Sequence, residues 1–116
     1  MTWIRIDDDL HSHPKIQAAW HQSEVSVGLH LLALSHSACY LTDGHVSRAF
    51  VALQLPNTTV RKQAVDALVA SELWVVNGTG WEIHDYLDYN DSREKILARR
   101  AAEAERKATR RQKVSR

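Results

Sequence analysis

The segment from Val25 to Leu41 constrains the fold of this chain more than any other. Its apolar residues Val25, Val27, Leu29, Leu31, Leu32, Ala33, Leu34, Ala38 and Leu41 cover most of a helix circumference, and Ser23-Glu24 opens it. A helix apolar nearly all round is a central, buried one, so the rest of the chain must wrap it. The 116 residues allow one domain plus an appended tail, with roughly two-thirds of the unfolded surface buried on folding. The one cysteine, Cys39, excludes an internal disulfide and a cysteine-based zinc site, and on this helix it reads as inert packing. No run approaches the roughly 20 apolar residues of a membrane span. The N-terminus turns acidic at Asp7-Asp8-Asp9, where a signal peptide would turn apolar. A soluble cytoplasmic protein with no membrane partner is the expectation.

Around the central helix the chain reads in short elements. Trp3-Ile4-Arg5-Ile6 alternates like a strand, which the three aspartates end. His13-Pro14 starts a short helix, with Pro14 where a missing N–H costs nothing. Thr42-Asp43-Gly44 closes the central helix, with Gly44 supplying the positive φ. His45-Val46 is extended, and Ser47 caps a helix from Arg48 to Leu53. Pro56 holds Leu55 extended and forces a turn. Asn57 or Thr58 caps the next helix, Thr59 to about Ser71, whose inward stripe is Val60, Ala64, Val65, Ala67 and Leu68. Asn77-Gly78-Thr79-Gly80 joins Leu73–Val76 to Trp81–Ile83 as a four-residue hairpin loop, with Val76 facing Trp81 and Trp74 facing Ile83. His84-Asp85 closes the last strand, with Tyr86 and Tyr89 packing on the core. Asn90 or Asp91 caps a final helix, with Asp91 and Glu94 at capping-box spacing. Its second half should project into solvent and fray past about Arg110.

From Glu24 the order is helix, short strand, helix, turn, helix, strand, tight loop, strand. That is the element order of a winged helix, a helix-turn-helix core closed by a β-hairpin wing. An α+β, mainly helical fold follows, with residues 1–90 as the domain and residues 91–116 as a basic C-terminal helix. The blocks Trp3–Asp8, His13-Pro14-Lys15, Leu41–Val46, Asn57–Lys62 with Ala67-Leu68 and Leu73-Trp74, and Trp81–Asn90 with Ser92-Arg93-Glu94 carry a resemblance over residues 3–94. The chain resembles actinobacterial phage and prophage winged-helix proteins related to replisome-organiser and DnaD-type N-terminal domains. The resemblance implies double-stranded DNA binding, in transcriptional control or recruitment to a replication origin. It also implies a homodimer or a replication or transcription partner protein, since one half-site binds weakly. Two departures stand out: Gln54 occupies a turn that often carries Gly, and the wing loop has no Lys or Arg. A docking or oligomerisation module is the rival reading.

Under the DNA reading, Thr58, Thr59, Arg61, Lys62 and Gln63 form the recognition face, because Arg suits guanine, Gln adenine, and Thr either bases or phosphates. Arg48, Asn57, Asn77 and Thr79 support it, and the helix N-terminus offers N–H groups to a phosphate. A solvated face with Lys62 paired to Asp66 is the alternative. The net charge of +1 hides an asymmetry. Residues 1–92 hold 5 Lys/Arg against 11 Asp/Glu, and residues 93–116 hold 10 against 3, so the halves carry −6 and +7. Arg93, Lys95, Arg99, Arg100, Arg106, Lys107, Arg110, Arg111, Lys113 and Arg116 can neutralise phosphates, or simply solvate a helix. If about four engage, log affinity falls against log salt with a slope near −3.6.

Asp7-Asp8-Asp9-Leu10-His11-Ser12-His13 is the densest set of metal-ligand types. Strand termination and a cap explain the same residues, so no metal or cofactor is expected. His30 and His36 read as partly buried neutral residues. His84-Asp85 lacks a nucleophile or phosphate cradle beside it, so neither an enzyme nor a small-molecule substrate is expected.

Overall fold

The computed structural model describes residues 4–114. The chain is mainly helical with one small antiparallel sheet, an α+β class. After a 3₁₀ turn at Leu10–Ser12 come α1 (Pro14–Gln22), α2 (Glu24–Tyr40), β1 (His45–Val46), α3 (Arg48–Gln54) and α4 (Thr58–Ala70). Then follow β2 (Trp74–Asn77), β3 (Gly80–Ile83), α5 (Tyr86–Tyr89) and α6 (Arg93–Val114). Local chemistry sets most of these boundaries. Pro14 opens α1, and His13 Nδ1 accepts the Lys15 N–H at 3.2 Å. Ser47 Oγ accepts the Phe50 N–H at 3.1 Å to start α3. Asn57 Oδ1 accepts the Thr59 and Val60 N–H groups, each at 3.0 Å, to start α4.

α2 packs against α1, α4 and β1, and α1 also packs on α4. The core joins Leu29, Ala33 and Leu34 of α2 to Ala19, Val46, Val51, Ala64, Leu68, Trp74, Ile83 and Tyr86. Trp74 is 1% exposed, and its indole N–H donates to His30 Nδ1 at 3.0 Å. That bond satisfies both polar atoms within an apolar setting.

The sheet order is β1-β3-β2, so β3 lies in the middle. Val76 pairs with Trp81 and Trp74 with Ile83, the register expected from the sequence. The loop, however, has two residues rather than four, because Asn77 and Gly80 pair. Gly78 has φ +59 and Thr79 is not in the positive-φ region, so the glycine leads the turn, as a type II′ hairpin requires. A Cβ on Gly80 would lie 2.3 Å from the Val46 carbonyl oxygen across the β1–β3 pair. Gly80→Ala should therefore separate these strands and cost at least about 2 kcal/mol, read as a lowered midpoint in urea unfolding.

Several expectations need correction. Ile4–Ile6 forms no strand and pairs with none of the three strands; Arg5 N–H instead donates to Asn90 Oδ1 at 3.1 Å. Trp3 lies outside the described residues. α2 ends on Leu41 at φ +56, with Thr42 N–H reaching back to the Ser37 carbonyl, so Gly44 does not close the helix. Gly44, at φ +88, matters through close approach: a Cβ there would sit 2.7 Å from Tyr86 Cβ. Nor is α2 buried all round, for Val25, Leu32 and Tyr40 are 42%, 49% and 65% exposed, and Cys39 is exposed and free. Tyr86 is buried, whereas the Tyr89 side chain lies outside the described residues. Ser92, not Asn90 or Asp91, caps α6, accepting the Lys95 N–H at 3.2 Å. α6 continues to Val114, with no fraying past Arg110 among the described residues.

Candidate nucleic-acid interface

α4 presents the ridge that the sequence singles out. Thr58, Thr59, Lys62 and Gln63 are exposed, Arg61 is half-buried, and Ala64, Val65, Ala67 and Leu68 face the core. The elements that pack most extensively on α4 are α1, α2, β2 and α3, and they leave this ridge open. Lys62 makes no ion pair with Asp66 among the described residues, so the pairing of the alternative reading is not formed. One feature of the helix start differs from expectation. The Asn57 side chain occupies the Thr59 and Val60 N–H groups, which leaves fewer amides for an external anion. Asn57 is thus a cap first, and any contact of its own is made through the remaining amide.

Arg48 does not join that ridge through any described contact. Its Nε–H donates to the Thr79 carbonyl at 2.7 Å, and its guanidinium lies 5.3 Å from the centre of the Trp81 ring. Arg48 at the start of α3 is therefore fastened to the hairpin turn, beside exposed Asn77 and Thr79. The loop has no cation in its own sequence, yet a guanidinium sits on it. Trp81 is the residue that sequence reasoning missed. Its signal was the short distance from Val46, which pairs with Trp81, to Arg48 two residues later.

α6 is fixed at its base. Arg93 N–H donates to Asp43 Oδ1 at 2.6 Å, and Ile96 is 6% exposed. Asp91 takes Lys95 at 3.4 Å and Arg99, and these contacts, led by the Arg99 hydrogen bond, hold its carboxyl below the usual range. Lys107 pairs with Glu103 at 3.8 Å. Arg93, Arg99, Arg100, Arg106, Lys107, Arg110, Arg111 and Lys113 are all exposed along this helix. Arg116 lies outside the described residues. Within that set, Arg106, Arg110 and Lys113 make no ion pair among the described residues.

The histidines and carboxylates elsewhere form no converging set. No group of three or more His, Cys, Asp or Glu is placed to hold a metal ion among the described residues. His84 Nδ1 and Asp85 Oδ2 lie 2.8 Å apart on the surface. His36 lies against the rings of Tyr40 and Phe50, with centroids 4.7 and 4.4 Å away. No helix of the described residues is long and apolar enough to cross a membrane. Compared with known proteins, the chain matches no family model, no curated protein and no solved structure.

Proposed function

We propose that this chain is a winged-helix protein that binds double-stranded DNA, with α4 entering the major groove and α6 adding phosphate contacts. The observation that carries the reading is the open ridge of Thr58, Thr59, Lys62 and Gln63, with Arg61 at its edge, on the helix that follows the Pro56 turn. Arg61 and Gln63 are suited to guanine and adenine edges, and Lys62 and the threonines to phosphates. Arg48 gives the β2–β3 hairpin a cation for the neighbouring backbone. The role is that of a binding protein, not an enzyme, in transcriptional control or origin recruitment of the phage type.

One copy reads too few bases to bind tightly, so specific binding calls for two. The uncovered strip of α2 suits that role: from Val25 to Tyr40 it has no Asp, Glu, Lys or Arg, so two copies bring no like charges together. The same strip and the −6 body also favour the rival reading, a docking module with little sequence-specific DNA binding.

Selection from random duplexes, followed by gel shifts with wild type and the Arg61→Ala/Lys62→Ala variant, separates the two. Enrichment of paired half-sites about one helical turn apart is expected. The variant should lose about 1–3 kcal/mol of preference for each base contact removed. No retardation at low salt, together with a stable oligomer in sizing, would replace DNA binding by the docking reading.

A further inference from the structure

We propose that the cleft between the N-terminal segment, α1, α2 and the base of the β2–β3 hairpin binds a small neutral apolar molecule, whose single carbonyl or hydroxyl oxygen accepts a hydrogen bond from His30 Nε2–H. The cleft has a volume of about 240 Å³. At about 30 Å³ for each water molecule it is large enough for a substituted six-membered ring. Ile16, Leu34, Leu73 and Ile83 line it with apolar surface.

The specific group is His30. It is 6% exposed and lines the cleft. Trp74 Nε1–H donates to its Nδ1, so in the neutral ring the proton must sit on Nε2. Burial keeps the ring neutral, lowering its pKa to about 4. Among the described residues Nε2–H has no protein acceptor, while no fully buried side-chain nitrogen lacks a partner. His30 lines the cleft, so we take the unpartnered Nε2–H as the donor it presents there. It offers a fixed donor and no acceptor, so it selects an oxygen with a lone pair.

The rim explains why the ligand is neutral. Arg5 and Lys15 line it together with Asp7, Glu72 and Asp85, so opposite charges nearly balance. Asp85 is already engaged by His84. A charged ligand would lose hydration without a net field to replace it. The cleft does not include the α4 ridge, so this site stands independently of the DNA reading.

The test is a titration of ¹⁵N-labelled full-length protein with acetophenone and with ethylbenzene, a matched pair that differs in the oxygen. Acetophenone should bind about five-fold more tightly, the worth of one net hydrogen bond. It should also move the Trp74 indole N–H resonance, because an acceptor on Nε2–H polarises the ring that Trp74 donates to. In His30→Leu the preference between the two probes should vanish. If that variant does not fold, the wild-type pair still decides. Equal affinity for the two probes in wild type would overturn the proposal. So would shifts confined to residues away from the cleft, or no saturable binding of either probe.

Discussion

Acidification from pH 7 to 4.5 is expected to remove about 2–3 kcal/mol of folding stability through His30 alone. Its imidazole titrates at 6.5 in the unfolded chain and at about 4 when buried. Between those values the unfolded state binds the extra proton, so stability falls as pH drops through the window and levels off below about 4. Above 6.5 the ring is neutral in both states and the full stability is present. For a domain of this size the loss is a large share of the total and lowers the melting temperature by roughly 10 °C. Thermal melts across the series measure it directly. His30→Gln keeps an acceptor for Trp74 but has nothing to protonate, so its profile should be flatter by that amount. A wild-type profile flat from pH 6.5 to 4.5 would mean that the ring is not held neutral in the core.

Replacing Arg106, Arg110 and Lys113 together by Ala should weaken binding to random duplex by about 10²–10³-fold near 0.1 M salt, if all three contact phosphates. Each phosphate contact contributes about −0.9 to the slope of log affinity against log salt, so the slope should become shallower by about 2.7. These residues are chosen because they make no ion pair among the described residues, whereas Lys95, Arg99 and Lys107 face carboxylates on the same helix or at its base. All three lie beyond Ile96, the buried anchor, so the substitutions leave the core untouched. Gel shifts at several salt concentrations give the slope. An unchanged slope would reduce α6 to a solvated helix.

Local chemistry was the legible part of this sequence. Pro14, Ser47 and Asn57 act at helix starts where their side chains and backbone restrictions suit them, and alternation placed Trp74 opposite Ile83. Illegible were the features that depend on which element lies beside which. Ile4-Arg5-Ile6 has the alternation of a strand, but a strand also needs an unpaired edge, and alternation says nothing about where that edge lies. The apolar circumference of α2 records how much surface needs cover, not whether this chain supplies all of it. Arg48 reaches the hairpin because β1 pairs with β3, a contact between segments far apart in sequence. The α4 ridge was legible because a capped amphipathic helix divides its own faces. Asn57 is legible as a cap from its residue type, whereas the loss of two free amides follows only from its Oδ1 accepting both the Thr59 and Val60 N–H groups.

The placement of α6 has a consequence for long-range motion. The molecule is 64 Å along its longest axis, with the acidic body at one end and a basic 22-residue helix leaving it. Charge separated in this way gives the protein a permanent electric moment directed along that helix. A polyanion therefore exerts a torque on the whole particle while it is still about a Debye length away. Under the DNA-binding proposal, that torque would turn the molecule tail-first toward the duplex, with the base of the helix held by Asp43, Asp91 and Ile96.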